Sequence, residues 1–171
     1  DENERSNKMI NREIGIMMII QHPTIIKFHG YSLFDFEGKN NVTIIMDLAK
    51  RGSLATLLQD AKQGLADEDY NNTVRQKILI GIARGMMYLH QNRVIHRDLK
   101  PDNILLDENY NPHITDFGLS KVVEYGRSQD QTHGYGTSMY MAPEVIKGGP
   151  YNGKADVYSF AILMYEVVTD L

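Results

Sequence analysis

Apolar residues recur at Ile10, Ile14, Met17 and Met18, a three-and-four spacing that predicts a helix with one buried face, closed before Pro23. The pattern then changes. Ile25–Ser32, Phe34–Asn41 and Val42–Asp47 are β-rich, and Glu37-Gly38-Lys39-Asn40 supplies turn chemistry among them, so a hairpin is predicted. Arg51-Gly52-Ser53 ends the strand, and Ser53 is placed to cap a short helix over Leu54–Gln59. Helical spacing returns strongly over Thr73–His90, where Val74, Ile78, Ile82 and Leu89 make one stripe with Met86 beside it. Short apolar runs follow at Val94–Ile95, Ile104–Leu106 and His113–Thr115, between polar loops. Residues 116–142 are rich in Gly, Ser, Tyr and Gln with little period, which predicts a long functional loop. Asp156–Val168 is apolar on most sides and predicts a buried helix. The order implies an α+β fold with a strand-rich start and a helical remainder.

Composition narrows the function classes. The 171 residues correspond to about one domain or part of a larger one. With 18 basic and 22 acidic side chains the formal charge is −4, which gives no reason to expect nucleic-acid binding. There is no Cys, so disulfide scaffolds, thiolate zinc sites and Cys nucleophiles are excluded. No basic-then-apolar leader is visible at the start, and the longest apolar runs, Ile14–Ile20 and Phe160–Met164, are too short to cross a bilayer. The default expectation is a cytoplasmic, reducing setting, with a chain that reads as cut at both ends. The histidines His22, His29, His90, His113 and His133 lack metal-ligand spacing and read as structural or solvated. Met17, Met18, Met86 and Met87 read as adaptable core.

Three polar motifs carry the chemistry. His96-Arg97-Asp98-Leu99-Lys100-Pro101-Asp102-Asn103 is followed by Asp116-Phe117-Gly118, with 116 − 98 = 18 positions between the two aspartates, and then by Ala142-Pro143-Glu144. In this order they match the signature set of protein kinases, and the chain resembles that family over essentially its whole length. Gly136–Glu144 is similar to the family's substrate-docking loop, Asp156–Phe160 to the start of its central buried helix, Asn11–Ile14 to its regulatory C-helix, and Gly52-Ser53-Leu54 to the exit from its hinge. The wording of Ile82–Met86 and Tyr88-Leu89-His90 is most similar to the tyrosine-kinase-like group of Ser/Thr kinases.

The resemblance implies a partial two-lobe kinase fold, with residues 1–48 a remnant of the smaller lobe and 49–171 an incomplete larger lobe. It implies ATP and Mg²⁺ as cofactors and proteins as substrates, with no nucleic acid and no membrane segment in this chain. Asp98 would accept or orient the substrate hydroxyl, and Asn103 and Asp116 would hold Mg²⁺, a hard cation that takes oxygen ligands. Lys100 would steady the transferring phosphate and points to Ser/Thr substrates, and Thr137 would tie Asp98 to Lys100. Glu13 would pair with a strand lysine, Met46 would be the gatekeeper, the backbone of Asp47 and Ala49 would meet adenine, and Leu105 would pack beneath it. His96 and Phe117 would be internal-spine residues. Arg97 and Lys121 would hold a regulatory phosphate on Thr132, with Ser128 as runner-up. No G-x-G-x-x-G occurs, and Lys8, the only lysine upstream of Glu13, lies on a different face of the same predicted helix. The expectation is therefore that these residues alone are inactive and that the parent domain transfers phosphate. The alternatives are a non-catalytic pseudokinase or scaffold, and a tyrosine or dual-specificity kinase.

Overall fold

Helix α3 (Asn72–Gln91) is the element against which the rest is assembled. It starts where the side-chain oxygen of Asn71 accepts the Thr73 and Val74 N–H groups, satisfying two of the donors a helix start leaves open. Its buried positions Ile78, Gly81, Ile82, Gly85, Met86 and Leu89 keep helical spacing. Two of them are glycines where the side chains of Thr24, Pro112 and Ile114 leave no room for a Cβ. A Cβ on Gly81 would lie 2.4 Å from Pro112 Cγ, and one on Gly85 would lie 2.7 Å from both Ile114 Cδ1 and Thr24 Oγ1. Overpacking of this kind costs about 1–3 kcal/mol, more than the roughly 1 kcal/mol of helix propensity that alanine adds. Gly85→Ala is therefore expected to lower the melting temperature by several degrees. Gly15→Ala, in open space on a helix, should leave it unchanged or raise it. Calorimetry of the two variants side by side checks the opposite signs.

The computed structural model describes residues 2–122, 138–149 and 151–169. Along the chain come α1 (Glu2–Met17), the antiparallel pair β1 (Phe28–Ser32) and β2 (Thr43–Met46), α2 (Leu54–Lys62), α3, β3 (Val94–Ile95), β4 (Ile104–Leu106), β5 (Pro112–Ile114), β6 (Lys121–Val122), α4 (Pro143–Ile146) and α5 (Gly153–Thr169). Three two-stranded antiparallel sheets pair β1 with β2, β3 with β6, and β4 with β5. The first hairpin is joined to the rest by backbone bonds from Ile26 N–H to the Ile114 carbonyl and from Ile114 N–H to the Thr24 carbonyl, at 3.0 and 2.9 Å. Beyond β2, Arg51 N–H donates to the Leu106 carbonyl and Leu106 N–H to the Gly52 carbonyl. Ser53 Oγ accepts the Thr56 N–H and caps α2 as its position predicts.

One core runs through the molecule, from Ile16, Met17 and Ile26 through Ile78, Ile82 and Leu89 to Ile104, Ile114, Phe117 and Leu163. Three expectations need correction. Helix α1 starts at Glu2, well before its apolar stripe, and its buried face holds Ile14, Ile16 and Met17, with Ile20 buried just beyond its end, while Met18 is 65% exposed. Met87 is also exposed, because it stands one residue, about 100° of helical rotation, beyond Met86 on the buried stripe. These two methionines are not core. Helix α5 buries Ala155, Asp156, Ser159, Leu163 and Val167 on one face, and leaves Val157, Tyr165 and Val168 exposed on the other. Its all-round apolarity exceeds what the described elements cover.

Candidate active site

The segment between β3 and β4 carries the first motif, and its shape is imposed from three sides. His96 is fully buried, and its Nε2–H donates to the Thr115 carbonyl at 3.0 Å while Nδ1 accepts the Asp98 N–H at 3.3 Å. That pairing selects the tautomer, since a carbonyl can only accept. Its ring meets Phe117 at 5.4 Å between centroids. From α5, the carboxylate of Asp156 accepts the His96 and Arg97 N–H groups, both at 2.9 Å. Arg97 takes a left-handed backbone with φ +73°, and Asp116 does so with φ +64°. Non-glycine residues rarely adopt this region, and such strain persists only where the surroundings hold it.

The polar side chains of the loop then converge. Lys100 Nζ lies 2.9 Å from Asp98 Oδ2, and Asn103 Nδ2 donates to that same oxygen at 3.1 Å and to the Asp98 carbonyl at 2.8 Å. With its amide nitrogen so committed, Asn103 presents Oδ1 as an acceptor. Asp116 Oδ1 accepts the Gly118 N–H at 3.3 Å, and its second oxygen adds a charged donor. One carboxylate and one amide oxygen match the few protein ligands that Mg²⁺ takes when phosphates and water complete its shell. The donor set therefore fits a Mg²⁺–nucleotide, although no group of three or more His, Cys, Asp or Glu side chains able to hold a metal occurs among the described residues.

Glu13 reaches this centre from α1. Its carboxyl is pushed up, first by burial and then by the negative charge of Asp116, while the Phe117 N–H that it accepts works the other way. The two acids are thus near enough for one charge to disfavour the other. Met46 packs against the core at the end of β2, opposite Phe28. The Asp47 N–H donates to the Lys27 carbonyl and the Ala49 carbonyl accepts the Gly52 N–H. The Asp47 carbonyl and the Ala49 N–H are an acceptor and a donor in this same stretch. Leu105 is partly buried against the core and paired with His113. Asp47 also holds His29 Nε2 at 2.5 Å, which keeps its carboxyl below the usual range. Lys121 stands in β6 opposite Ile95. Thr137, Thr132 and Ser128 lie outside the described residues.

Three contributors escaped the reading of the sequence. Asp156 is fully buried and additionally bound by His90 Nε2 at 2.8 Å, yet an acid in the first turn of a helix looks ordinary because the helix dipole favours it there. Arg12 adds a like charge near Arg97, whose guanidinium is held below its usual range chiefly by burial. Tyr151 lies beneath Arg97 with its ring centroid 5.1 Å from the guanidinium carbon. The only sequence cue for Arg12 is its place beside Glu13, and Tyr151 has none.

The protein kinase domain model matches residues 1–171, and the chain belongs to that family. It is 36% identical over 170 residues to a probable leucine-rich repeat receptor-like serine/threonine-protein kinase of Arabidopsis thaliana, covering 98% of this chain and 16% of that protein. A probable serine/threonine-protein kinase of Dictyostelium discoideum is 37% identical over 160 residues, 92% of this chain and 15% of that protein. NUAK family SNF1-like kinase 2 of Pongo abelii is 39% identical over 168 residues, 98% of this chain and 25% of that protein. The chain thus spans a quarter or less of the length of these relatives. No helix of the described residues is long and apolar enough to cross a membrane.

Proposed function

We propose that the whole protein transfers the γ-phosphoryl group of ATP to Ser or Thr hydroxyls of protein substrates. The observation that carries this reading is the convergence of Lys100 Nζ and Asn103 Nδ2 on Asp98 Oδ2, at 2.9 and 3.1 Å. A carboxylate so oriented can hold a hydroxyl and take its proton, and a cation beside it can meet the charge of the phosphoryl group in flight. Asn103 and Asp116 would hold Mg²⁺, which when bound neutralises phosphate charge. The Asp47 carbonyl and Ala49 N–H would meet the adenine edge, between Met46 and Leu105. Glu13 would pair with a lysine of a preceding strand. Residues 1–48 would belong to the smaller lobe and 49–171 to the larger one. Neither a Gly-rich loop nor that lysine occurs in these 171 residues, so the activity proposed is that of the whole protein, working on the cytoplasmic side where ATP is supplied. Arg97 and Lys121 would receive a phosphate placed on Thr132 or Ser128, and Thr137 would brace Asp98.

Asp116→Asn in the whole protein tests the nucleotide part. Loss of a charged metal ligand should weaken Mg²⁺–ATP binding tenfold or more, while binding of ATP without Mg²⁺ changes little. Calorimetric titration in the two conditions separates them, and unchanged Mg²⁺–ATP affinity removes Asp116 from the metal site.

A further inference from the structure

Asp98 follows directly on a residue held in an uncommon backbone conformation. Arg97 has φ +73° and its N–H is held at 2.9 Å by Asp156, so the loop is pinned at its backbone. The guanidinium at the other end of Arg97 is half-buried and lies on the face of the Tyr151 ring, with 5.1 Å from its central carbon to the ring centroid. The Tyr151 hydroxyl reaches the Asp156 carboxylate at 3.4 Å, long for a hydrogen bond between oxygens. Tyr151 and Ser159 border a small cavity that also touches Asp98 and Tyr140, and the Ser159 hydroxyl donates to the Tyr140 carbonyl at 2.7 Å. Tyr151 thus meets the loop through Arg97 and α5 through Asp156, and shares a small cavity with the segment that precedes α4.

We propose that Tyr151 is a positioning residue for phosphoryl transfer, its aromatic face serving as the ledge on which the Arg97 guanidinium lies, so that Asp98 is presented in one geometry. The inference rests on the assignment of Asp98 as the residue that meets the substrate hydroxyl. The ring is the working part. A π-face attracts a guanidinium through its quadrupole, and the attraction grows where water is excluded. The hydroxyl, at its longer distance, adds little. Burial pushes its ionisation upward, so it stays neutral and the ring keeps the electrostatics of an ordinary phenol. Arg12 brings a like charge toward Arg97 from the α1 side. The ledge therefore also holds the guanidinium against that repulsion, which a merely space-filling side chain would not do.

The test uses the whole protein with four replacements. Tyr151→Leu should lower kcat tenfold or more with the KM for ATP within twofold. Tyr151→Phe, the conservative rescue, should restore kcat to within threefold of the parent. Incorporation of pentafluorophenylalanine at position 151 keeps the volume and the fold but removes the negative face, and should lower kcat at least fivefold relative to Tyr151→Phe. That pair keeps the test decisive even where Tyr151→Leu does not fold. Equal kcat for the fluorinated and plain rings would overturn the proposal, as would equal losses in Tyr151→Phe and Tyr151→Leu. Asp98→Asn, assayed in parallel, separates the two readings. Undiminished turnover there would remove the Asp98 assignment, whereas strong dependence on Asp98 with a flat ring series would remove the role of Tyr151 alone.

Discussion

Asp98→Asn should reduce phosphoryl transfer by about 10²–10⁴-fold, the range over which a positioned proton acceptor contributes, and leave the KM for ATP within about twofold. At 1.36 kcal/mol per tenfold this is about 3–5 kcal/mol of transition-state stabilisation. The amide keeps the size of the carboxyl and one acceptor oxygen, but it is a far weaker base. It also takes away the negative charge that Lys100 Nζ now faces at 2.9 Å. Lys100 then loses this anionic partner, so the loss includes a less firmly placed cation as well as the absent base. The nucleotide should be little affected, because the groups assigned to it are Asn103, Asp116 and the Asp47–Ala49 backbone. Steady-state kinetics with a varied ATP concentration check the split. A loss in KM alone, with kcat retained, would move Asp98 from chemistry to binding.

Asp156→Ala should be the most destabilising single substitution among the polar residues described. The carboxylate is fully buried and accepts from the His96 N–H, the Arg97 N–H, His90 Nε2 and the Tyr151 hydroxyl, at 2.9, 2.9, 2.8 and 3.4 Å. Its removal takes the partner from the buried His96 N–H, the part-buried Arg97 N–H and the part-buried His90 ring nitrogen. Each such group costs about 1–3 kcal/mol, and breaking a buried charged network costs about 3–5 kcal/mol in total. Against a stability of about 5–15 kcal/mol for a whole domain, that is a large fraction. Asp156→Asn should fall between Ala and the parent, because its amide nitrogen would point a donor at a donor. Asp102→Ala, which alters an exposed acid of the loop that Asp156 anchors, should stay within about 0.5 kcal/mol. Denaturant midpoints for the three variants give the order, and equal midpoints for Asp156→Ala and Asp102→Ala would show that the network carries no stability.

Much was legible without a structure, and for a local reason. The stripe on α3, the cap at Ser53 and the hairpin turn depend on residues within about one or two turns of each other, where spacing alone states geometry. The proximity of Asp98, Lys100 and Asn103 was legible because all three sit within six consecutive residues, and their short loop brings Lys100 and Asn103 onto one carboxylate oxygen of Asp98. Side-chain exposure on α5 was misread for the opposite reason. Apolarity reports what a helix could bury, and only the neighbours decide what it does bury.

What the tertiary structure decided were the contacts between residues remote in sequence. Glu13 and Phe117 are separated by 117 − 13 = 104 positions and Arg97 and Asp156 by 59, and no periodicity relates such pairs. The chain alone specified that an acid stands at Asp156 and an aromatic at Tyr151. That the acid is the buried anchor of the loop between β3 and β4, and the aromatic the surface beneath Arg97, follows from the packing of α5 beneath that loop. Local sequence determined which chemistry is present, because reactive groups and helix periodicity are written in neighbouring residues. The fold decided which groups are held, strained and desolvated, because burial and charge pairing depend on every element that meets at the site.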